Sequence, residues 1–487
     1  MLTHLSSYNE YIHFVFSHIS YMDSSPYNDF LDKDIYFKAF FKMVHLRTDE
    51  IIPLLNGLYS HTGRPAKFQM EILRSFVLML HFHKVSIKDW VKSLHNDSFL
   101  ALLCGFNTDD IPSSSSHYDF INRIFKNFFH HNCFPPSKNY KPKVKKKLKK
   151  GEKLNNINKN STENVVDFYL DGHRDDDRPE LLLQQLFHIL AVDFSTHQGL
   201  IDKPNSIIAS GDGSSFHIHS NSSGHKICNC STTCNCERRY SDPEADIGWD
   251  SDLESFYFGY TEYNVSYYNK RLGIDLPLFL TLEKASQHDT ITAISAINNF
   301  MNINKSINIS GYCLDSASDN YATHRYLSHF NIIPFIDINK RSQSNIYEKI
   351  DRISENGKPI CSQGLEMIYW GYESKKHRHK YRCPLALGRI KECDHCETCR
   401  KSNYGLTIYI KSSNDPKLFG PVPFGSPKWK EIYKNRTCCE RINNRILNNY
   451  NLHQCRMHTR PRLLFLMMMI GINIHLDAFY KTTSIIL

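Results

Sequence analysis

The chain has 487 residues, of which 41% are hydrophobic and 22% charged, with a formal net charge of +9 and 15 cysteines. That length carries two to four domains with a substantial core, and the composition is ordinary for a globular protein. The mild positive excess permits a polyanionic partner without requiring one. An odd number of cysteines, several in tight clusters, argues against a secreted disulfide framework and for a reducing compartment with metal sites. The opening stretch MLTHLSSYNEYIHFVFSH has no basic flank followed by a clean apolar core, so no signal peptide is expected. The longest apolar run, 463–474, is too short to span a bilayer. The expectation is a cytoplasmic protein with no membrane partner.

Up to about Cys133 the pattern is helical. Residues 67–83 carry Phe68, Ile72, Phe76 and Leu80 in a wide apolar stripe, with Pro65 just ahead. Ser86, with Asp89 three residues on, suits the start of a helix reaching Leu94. A further helix over 99–103 is ended by Gly105, and another spans 118–128. Short helices with tight turns fit a helix-turn-helix reader, but pattern alone favours a plain helical bundle. Residues 138–159 are a basic low-complexity stretch, read as a solvated tether, as a phosphate-neutralising arm, or as both. Residues 179–192 form an apolar helix headed by Asp175, Asp176 and Asp177, acids that suit a helix N-terminus.

From 206 to 341 the chain alternates in an α/β manner. SIIASGDGSSF reads as an apolar strand ending at Asp212, flanked by Gly211 and Gly213 for a tight turn and close approach of a ligand. Strands over 255–267 and 276–282 and a helix over 291–301 follow. Residues 309–338 make a strand, an acidic turn, a helix and a second strand. Asp315 falls at the end of the first of these strands, where open α/β sheets place their chemistry, and Asp319 sits at an N-cap position. Residues 428–450 lack Gly and Pro and read as a helix with Tyr433, Arg436 and Glu440 on one face. Two strand-end aspartates and a late-helix glutamate are oxygen ligands of the kind that hard divalent cations take.

Two cysteine clusters interrupt this region. Cys383, Cys393, Cys396 and Cys399, with overlapping C-x-x-C pairs, are the stronger candidate for structural zinc; His395, His377 or Cys361 could substitute as a ligand. Cys228, Cys230, Cys234 and Cys236 are the weaker one, because C-x-C spacing is less typical. Cys438 and Cys439 read as helix packing.

The order Asp212, Asp315, Glu440, with Tyr433, Arg436 and Glu440 spaced on one helix, resembles the DDE transposases of bacterial and archaeal insertion sequences. The likeness is to the branch with a Tyr-x-x-Arg-x-x-x-Glu signature, and it covers most of the chain. CLDSASDN and the following INKR are similar to its second-aspartate block, and RRYSDPEADIGWDS with FYFGY to the block between the first two acids. GRPAKFQMEILRSFVLML and IPSSSSHYDFINRI are similar to its N-terminal domain. One departure is Leu447, which stands where the family often has Lys; Arg441 or Arg445 would take over that phosphate contact.

The resemblance implies an α/β RNase H-like mixed-sheet core with an inserted subdomain, preceded by an all-α N-terminal domain. The boundaries read as 1–135 for DNA-binding helices, 136–165 for a basic linker and 166–205 for a helical connector. The catalytic core takes 206–342 and 427–487, and the insertion 343–426. The insertion carries the second cysteine cluster, the basic run KKHRHKYR and the strand-like LTIYIK, and its basic face is read as a DNA-end clamp or as a solvated surface. The implied activity is transposition. Asp212, Asp315 and Glu440 would hold two Mg²⁺ (or Mn²⁺), cut the transposon end and join its 3′-OH to target DNA by in-line displacement. Tyr433 and Arg436 would hold the phosphate backbone. Partners would be double-stranded DNA, as terminal inverted repeats and target, and a second copy in a homodimer, in a bacterial or archaeal cytoplasm at the nucleoid. The competing readings are a non-catalytic, zinc-stapled DNA-binding protein and an RNase H-fold nuclease that cuts without joining.

Overall fold

The N-terminal helices are α1 (Tyr8–Ser20), α2 (Asp34–His45), α3 (Ile52–Asn56), α4 (Gln69–His81), α5 (Ile87–Asn96), α6 (Ser98–Cys104) and α7 (Ser114–Ile124). They come from a computed structural model that describes residues 7–20, 34–60, 62–125, 161–174, 180–231, 234, 236, 238–339, 354, 357–361, 363–394, 402–413 and 415–484. The basic stretch 138–159, Asp175, Asp176, Asp177, His395, Cys396 and Cys399 lie outside the described residues.

Local chemistry sets these boundaries. Ser86 accepts a hydrogen bond from the Asp89 amide at 3.4 Å and starts α5, as the sequence suggests. Asp97 accepts from the Phe99 and Leu100 amides and starts α6, which Gly105 ends in the left-handed region at φ 94°. α4 begins at Gln69 rather than 67, because Phe68 is itself left-handed. α7 begins at Ser114, ahead of the expected 118, and takes in the serine run.

Next come α8 (Ser161–Leu170), α9 (Leu181–Phe187), a π turn over His188–Asp193, and α10 (Phe194–His197). The central elements are β1 (Ile207–His217), a two-stranded ribbon of β2 (His225–Lys226) and β3 (Arg238–Arg239), β4 (Asp246–Asp250), β5 (Ser255–Asn269) and β6 (Ile274–Lys284). α11 (Asp289–Ile303), β7 (Ile309–Leu314), α12 (Tyr321–His329) and β8 (Ile333–Ile336) follow. A separate antiparallel sheet holds β9 (Ile368–Glu373), β10 (Arg378–Arg382) and β11 (Thr407–Lys411). The chain ends with α13 (Pro427–Tyr433), a 3-10 turn over Lys434–Arg436, α14 (Thr437–Asn444), a π turn over Arg445–Asn449, and α15 (Arg460–Ser484). The helix expected over 428–450 is thus broken by two tighter or wider turns. β4 is a strand that the sequence pattern does not announce.

The main sheet is mixed. β1, β7 and β8 run parallel, while β5 is antiparallel to β1 on one side and to β6 on the other. β4 pairs with the first residues of β5, before its β6 pairing begins. Successive residues of a strand point to opposite faces. Gly213 faces Asp289 of α11, whereas Asn264, the partner of Asp212, donates to the Cys439 carbonyl of α14 at 3.4 Å. α11 and α14 therefore cover opposite faces.

α15 locks the termini together. Phe465 meets Phe76 of α4 edge-on at 4.8 Å, and buried Lys42 of α2 pairs with Asp477 at 2.7 Å. One continuous hydrophobic core runs from Tyr11 through the sheet to Ala478. The apolar run expected at 463–474 is only the middle of α15. Residues 460–483 are long and apolar enough to cross a membrane, yet 83% of the most apolar stretch is buried within the protein. A second, smaller core of Ile338, Met367, Tyr381, Ile410, Leu418 and Phe419 belongs to the inserted sheet.

Gly471 lies in mid-helix, where alanine is ordinarily preferred. A Cβ there would meet Phe187 Cε2 at 2.6 Å and Leu280 Cδ1 at 2.7 Å, so the glycine sets how closely α15 approaches β6. Gly471→Ala is expected to lower stability by about 1–3 kcal/mol in urea denaturation, against its helix propensity.

Candidate functional site

Strand register builds the site. Ser210 of β1 lies beside Cys313 of the parallel strand β7, and two residues further along each strand come Asp212 and Asp315. β7 stops at Leu314, but β1 continues to His217, so Asp212 is in mid-strand and not at a strand end as the sequence suggests. Gly213 serves close packing rather than a turn: a Cβ would lie 3.1 Å from both Asp289 Oδ1 and Thr261 Cγ2. Asp319 does not cap α12. Asn320 does, accepting from the Thr323 amide at 2.8 Å, and Asp319 instead forms a buried ion pair with Lys417 at 2.8 Å.

Glu440 arrives from α14, which is docked on β5 through Asn264 and Asn443. Arg436 spans the acids, with its guanidinium 3.6 Å from Asp212 Oδ2 and 2.5 Å from Glu440 Oε1. Asp212 is 20% exposed and Glu440 49% exposed. Burial pushes the Asp212 carboxyl up to about 7; Arg436 opposes the shift, while the charges of Asp315, Glu440 and Asp289 add to it. The three acids expected from the sequence are therefore electrostatic neighbours.

A fourth acid joins them. Asp289 begins α11, its carboxyl is raised by burial and by Asp315, and it lines a cleft of about 380 Å³ with Ser214, Thr261 and Ala317. At the sequence level Asp289 is indistinguishable from an ordinary first-turn helix acid. Ser215 and His217 on the same strand both bond Asp250 Oδ2, at 2.6 and 2.7 Å, fixing that wall of the cleft. Behind Asp212, Glu262 is fully buried with no hydrogen-bond partner for either carboxylate oxygen among the described residues; burial and then Asp212 hold its pKa well above the carboxylate range.

The other expected residues are placed differently. Tyr433 is stacked on Trp429 at 4.5 Å, close enough to Asp315 to feel its charge. Arg441 grips Asp275 with two bonds of 2.7 Å, and Arg445 pairs with Asp477 at 3.0 Å, so both are engaged away from the acids. Cys438 and Cys439 are fully buried.

Among the described residues, the tightest set of metal-ligating atoms is the four thiols of Cys228, Cys230, Cys234 and Cys236, all within 4.8 Å of one another. Cys228 and Cys234 sulfurs are 3.2 Å apart, and those of Cys230 and Cys236 3.7 Å. This cluster can hold a metal ion. Of the other cluster, Cys383 packs against the inserted sheet's core and Cys393 lies beyond it. Compared with family models, curated proteins and solved structures, the chain matches none.

Because the Asp212 carboxyl titrates higher in the folded chain than unfolded, charging it opposes folding. Its contribution to stability is full below about pH 4 and is lost as pH rises through about 7. Asp212→Asn cannot charge. It is expected to stabilise the metal-free protein by roughly 2–4 kcal/mol at pH 8, with the gain vanishing near pH 4, as followed by chemical denaturation.

Proposed function

We propose that the chain is a DDE-type DNA transposase with an RNase H-like catalytic core, cutting DNA ends and joining a 3′-OH to target DNA. The single observation that carries this reading is geometric: Asp212 and Asp315, far apart in sequence, follow paired residues of the adjacent strands β1 and β7, and Arg436 bridges Asp212 to Glu440. The strand order β6, β5, β1, β7, β8, with the last three parallel, supports the RNase H-like reading.

A cluster of carboxylates balanced by one guanidinium suits hard divalent cations, and the donor set is all oxygen. Asp212, Asp315 and Glu440 would hold Mg²⁺ or Mn²⁺, with Asp289 near enough for its charge to be felt at Asp212. The ions would lower the pKa of an attacking water and stabilise the leaving oxygen. Arg436 now sits between Asp212 and Glu440, so it would swing toward the DNA phosphate as cations take over its charge-balancing role. Asp250, which accepts from Ser215 and bonds His217, forms one wall of the cleft together with Ser215. Tyr433 stacks on Trp429 within α13, the helix that leads into the one carrying Glu440.

The thiol cluster suits zinc. Tetrahedral Zn–S bonds of about 2.3 Å put sulfurs roughly 3.8 Å apart, close to the observed separations. The metal would staple the ribbon of β2 and β3 with no open coordination position.

Three measurements test these points. Asp212→Asn and Asp315→Asn should each abolish Mg²⁺-dependent cleavage of a terminal-repeat duplex while leaving its binding intact; retained cleavage in either refutes the assignment. Strand transfer from a pre-cut end by the unaltered chain separates joining from cutting alone. A paired Cys228→Ser, Cys234→Ser variant should lose one zinc per chain relative to the unaltered protein by atomic emission; an unchanged zinc content contradicts the staple.

A further inference from the structure

The inserted sheet has two unlike faces. Tyr369, His379, Tyr381 and Ile410 point into the subdomain's own core. The other face carries Arg378, Lys380 and Arg382, alternate residues of β10, the first two half-buried and Arg382 buried, interleaved with rings from neighbouring segments. The Arg382 guanidinium is sandwiched 4.4 Å from the Trp370 ring and 3.5 Å from Tyr404. Arg378 lies 3.9 Å over Tyr409, and Lys380 4.7 Å over Tyr404. Despite these stacks, Trp370 is 51%, Tyr404 42% and Tyr409 44% exposed.

Large aromatics rarely stay this exposed in a row without a partner. The cations hold the rings in fixed poses, so little ordering remains when a ligand arrives. The bulge between Lys380 and Tyr381 in the β9 pairing puts Trp370 on this face as an extra residue. Charge on the face is strongly positive. Glu373 is its acid and is already engaged by Arg378 at 2.6 Å and Lys376 at 3.3 Å. Arg382 Nε is buried and has no hydrogen-bond acceptor among the described residues.

We infer that this face is a binding platform for an unpaired polynucleotide strand, whose bases stack on Trp370, Tyr404 and Tyr409 while its phosphates meet Arg378 and Lys380. Rings lying open on a sheet present flat surfaces to bases, and bases inside a duplex are not accessible to them. A double helix could use the cations but not the rings. The subdomain is tied to the acid site through the Lys417–Asp319 ion pair, four residues beyond Asp315 in sequence, so a strand on the platform belongs to the same substrate. The inference extends the proposed transposase reading by naming the form of DNA this face takes.

The test uses the full Asp212→Asn chain, so that binding is read without cleavage, and a dT12 oligonucleotide against a 12-base-pair duplex. Adding dT12 should quench tryptophan emission, and Trp370→Phe should remove that quench while keeping binding. A double Trp370→Ala, Tyr409→Ala variant should weaken dT12 binding by about 10-fold or more, with the duplex little affected. Lys380→Ala should reduce the salt dependence of dT12 binding by about 0.7 in log–log slope, with an unchanged urea midpoint confirming the fold. The inference is overturned if dT12 gives no Trp370-dependent quench, or if binding is indifferent to both the ring and the lysine substitutions. Cleavage is read on the unaltered chain: no Mg²⁺-dependent cleavage by it, with dT12 binding intact, would sink only the catalytic reading, and cleavage by it without that binding would sink only the platform.

Discussion

Like charges held together against their own repulsion are the constraint on which the rest of this structure depends. Asp212, Asp315, Glu440 and Asp289 come from four different elements, and each alone would be better solvated in water. The sheet forces the first two together, because parallel β1 and β7 share a register that ends where the acids begin. Helix docking brings the others: Asn264 and Asn443 seat α14, and Gly213 lets α11 approach. Arg436 is the cation that makes the arrangement tolerable, at 3.6 Å from one acid and 2.5 Å from another. Burial and the nearby Asp212 hold Glu262, behind the cluster, well above the carboxylate range, so it adds no further charge to it.

The surrounding architecture supplies the rigidity this demands. α15 threads between the sheet and the N-terminal helices, so terminal segments share one core with the site's strands. The buried pair of Lys42 and Asp477, with Arg445 also on Asp477, binds α2, α15 and the turn after α14 into one unit. That turn carries the Glu440 helix. On the other side, the inserted sheet is fastened by Lys417 to Asp319, within the loop that follows Asp315. The acid cluster is thereby clamped from both flanking bodies, with the inserted sheet fastened to the Asp315 loop by the Lys417–Asp319 ion pair.

Much of this was legible in the sequence, and the exceptions have physical causes. The unit from β7 to β8 was readable because its apolar runs, acidic turn and amphipathic helix agree with one another. The convergence of Asp212, Asp315 and Glu440 followed from a motif resemblance and not from periodicity. Gly213 misled in the other direction: glycine beside an aspartate reads as a turn, whereas here it is needed because Asp289 and Thr261 approach the strand. Asp319 was taken for a cap because the next residue, Asn320, can do the same job and does. Asp289 could not be singled out, since an acid in the first turn of a helix is commonplace and only tertiary packing against Asp315 distinguishes it. The ring-and-cation ladder on β10 was equally hidden: KKHRHKYR shows the charges, but the rings come from Trp370, Tyr404 and Tyr409 on other segments.

The most direct measurement is Mn²⁺ affinity as a function of pH, read by electron paramagnetic resonance on the metal-free chain. If the carboxylates act as one coupled cation site, affinity should climb steeply between pH 5 and about 7, as Asp212 loses its proton, and level off above. It should also fall sharply when Glu440 is replaced by Gln. Affinity that is flat across that pH range, or indifferent to Glu440, would contradict the claim that these acids form a single metal-binding centre.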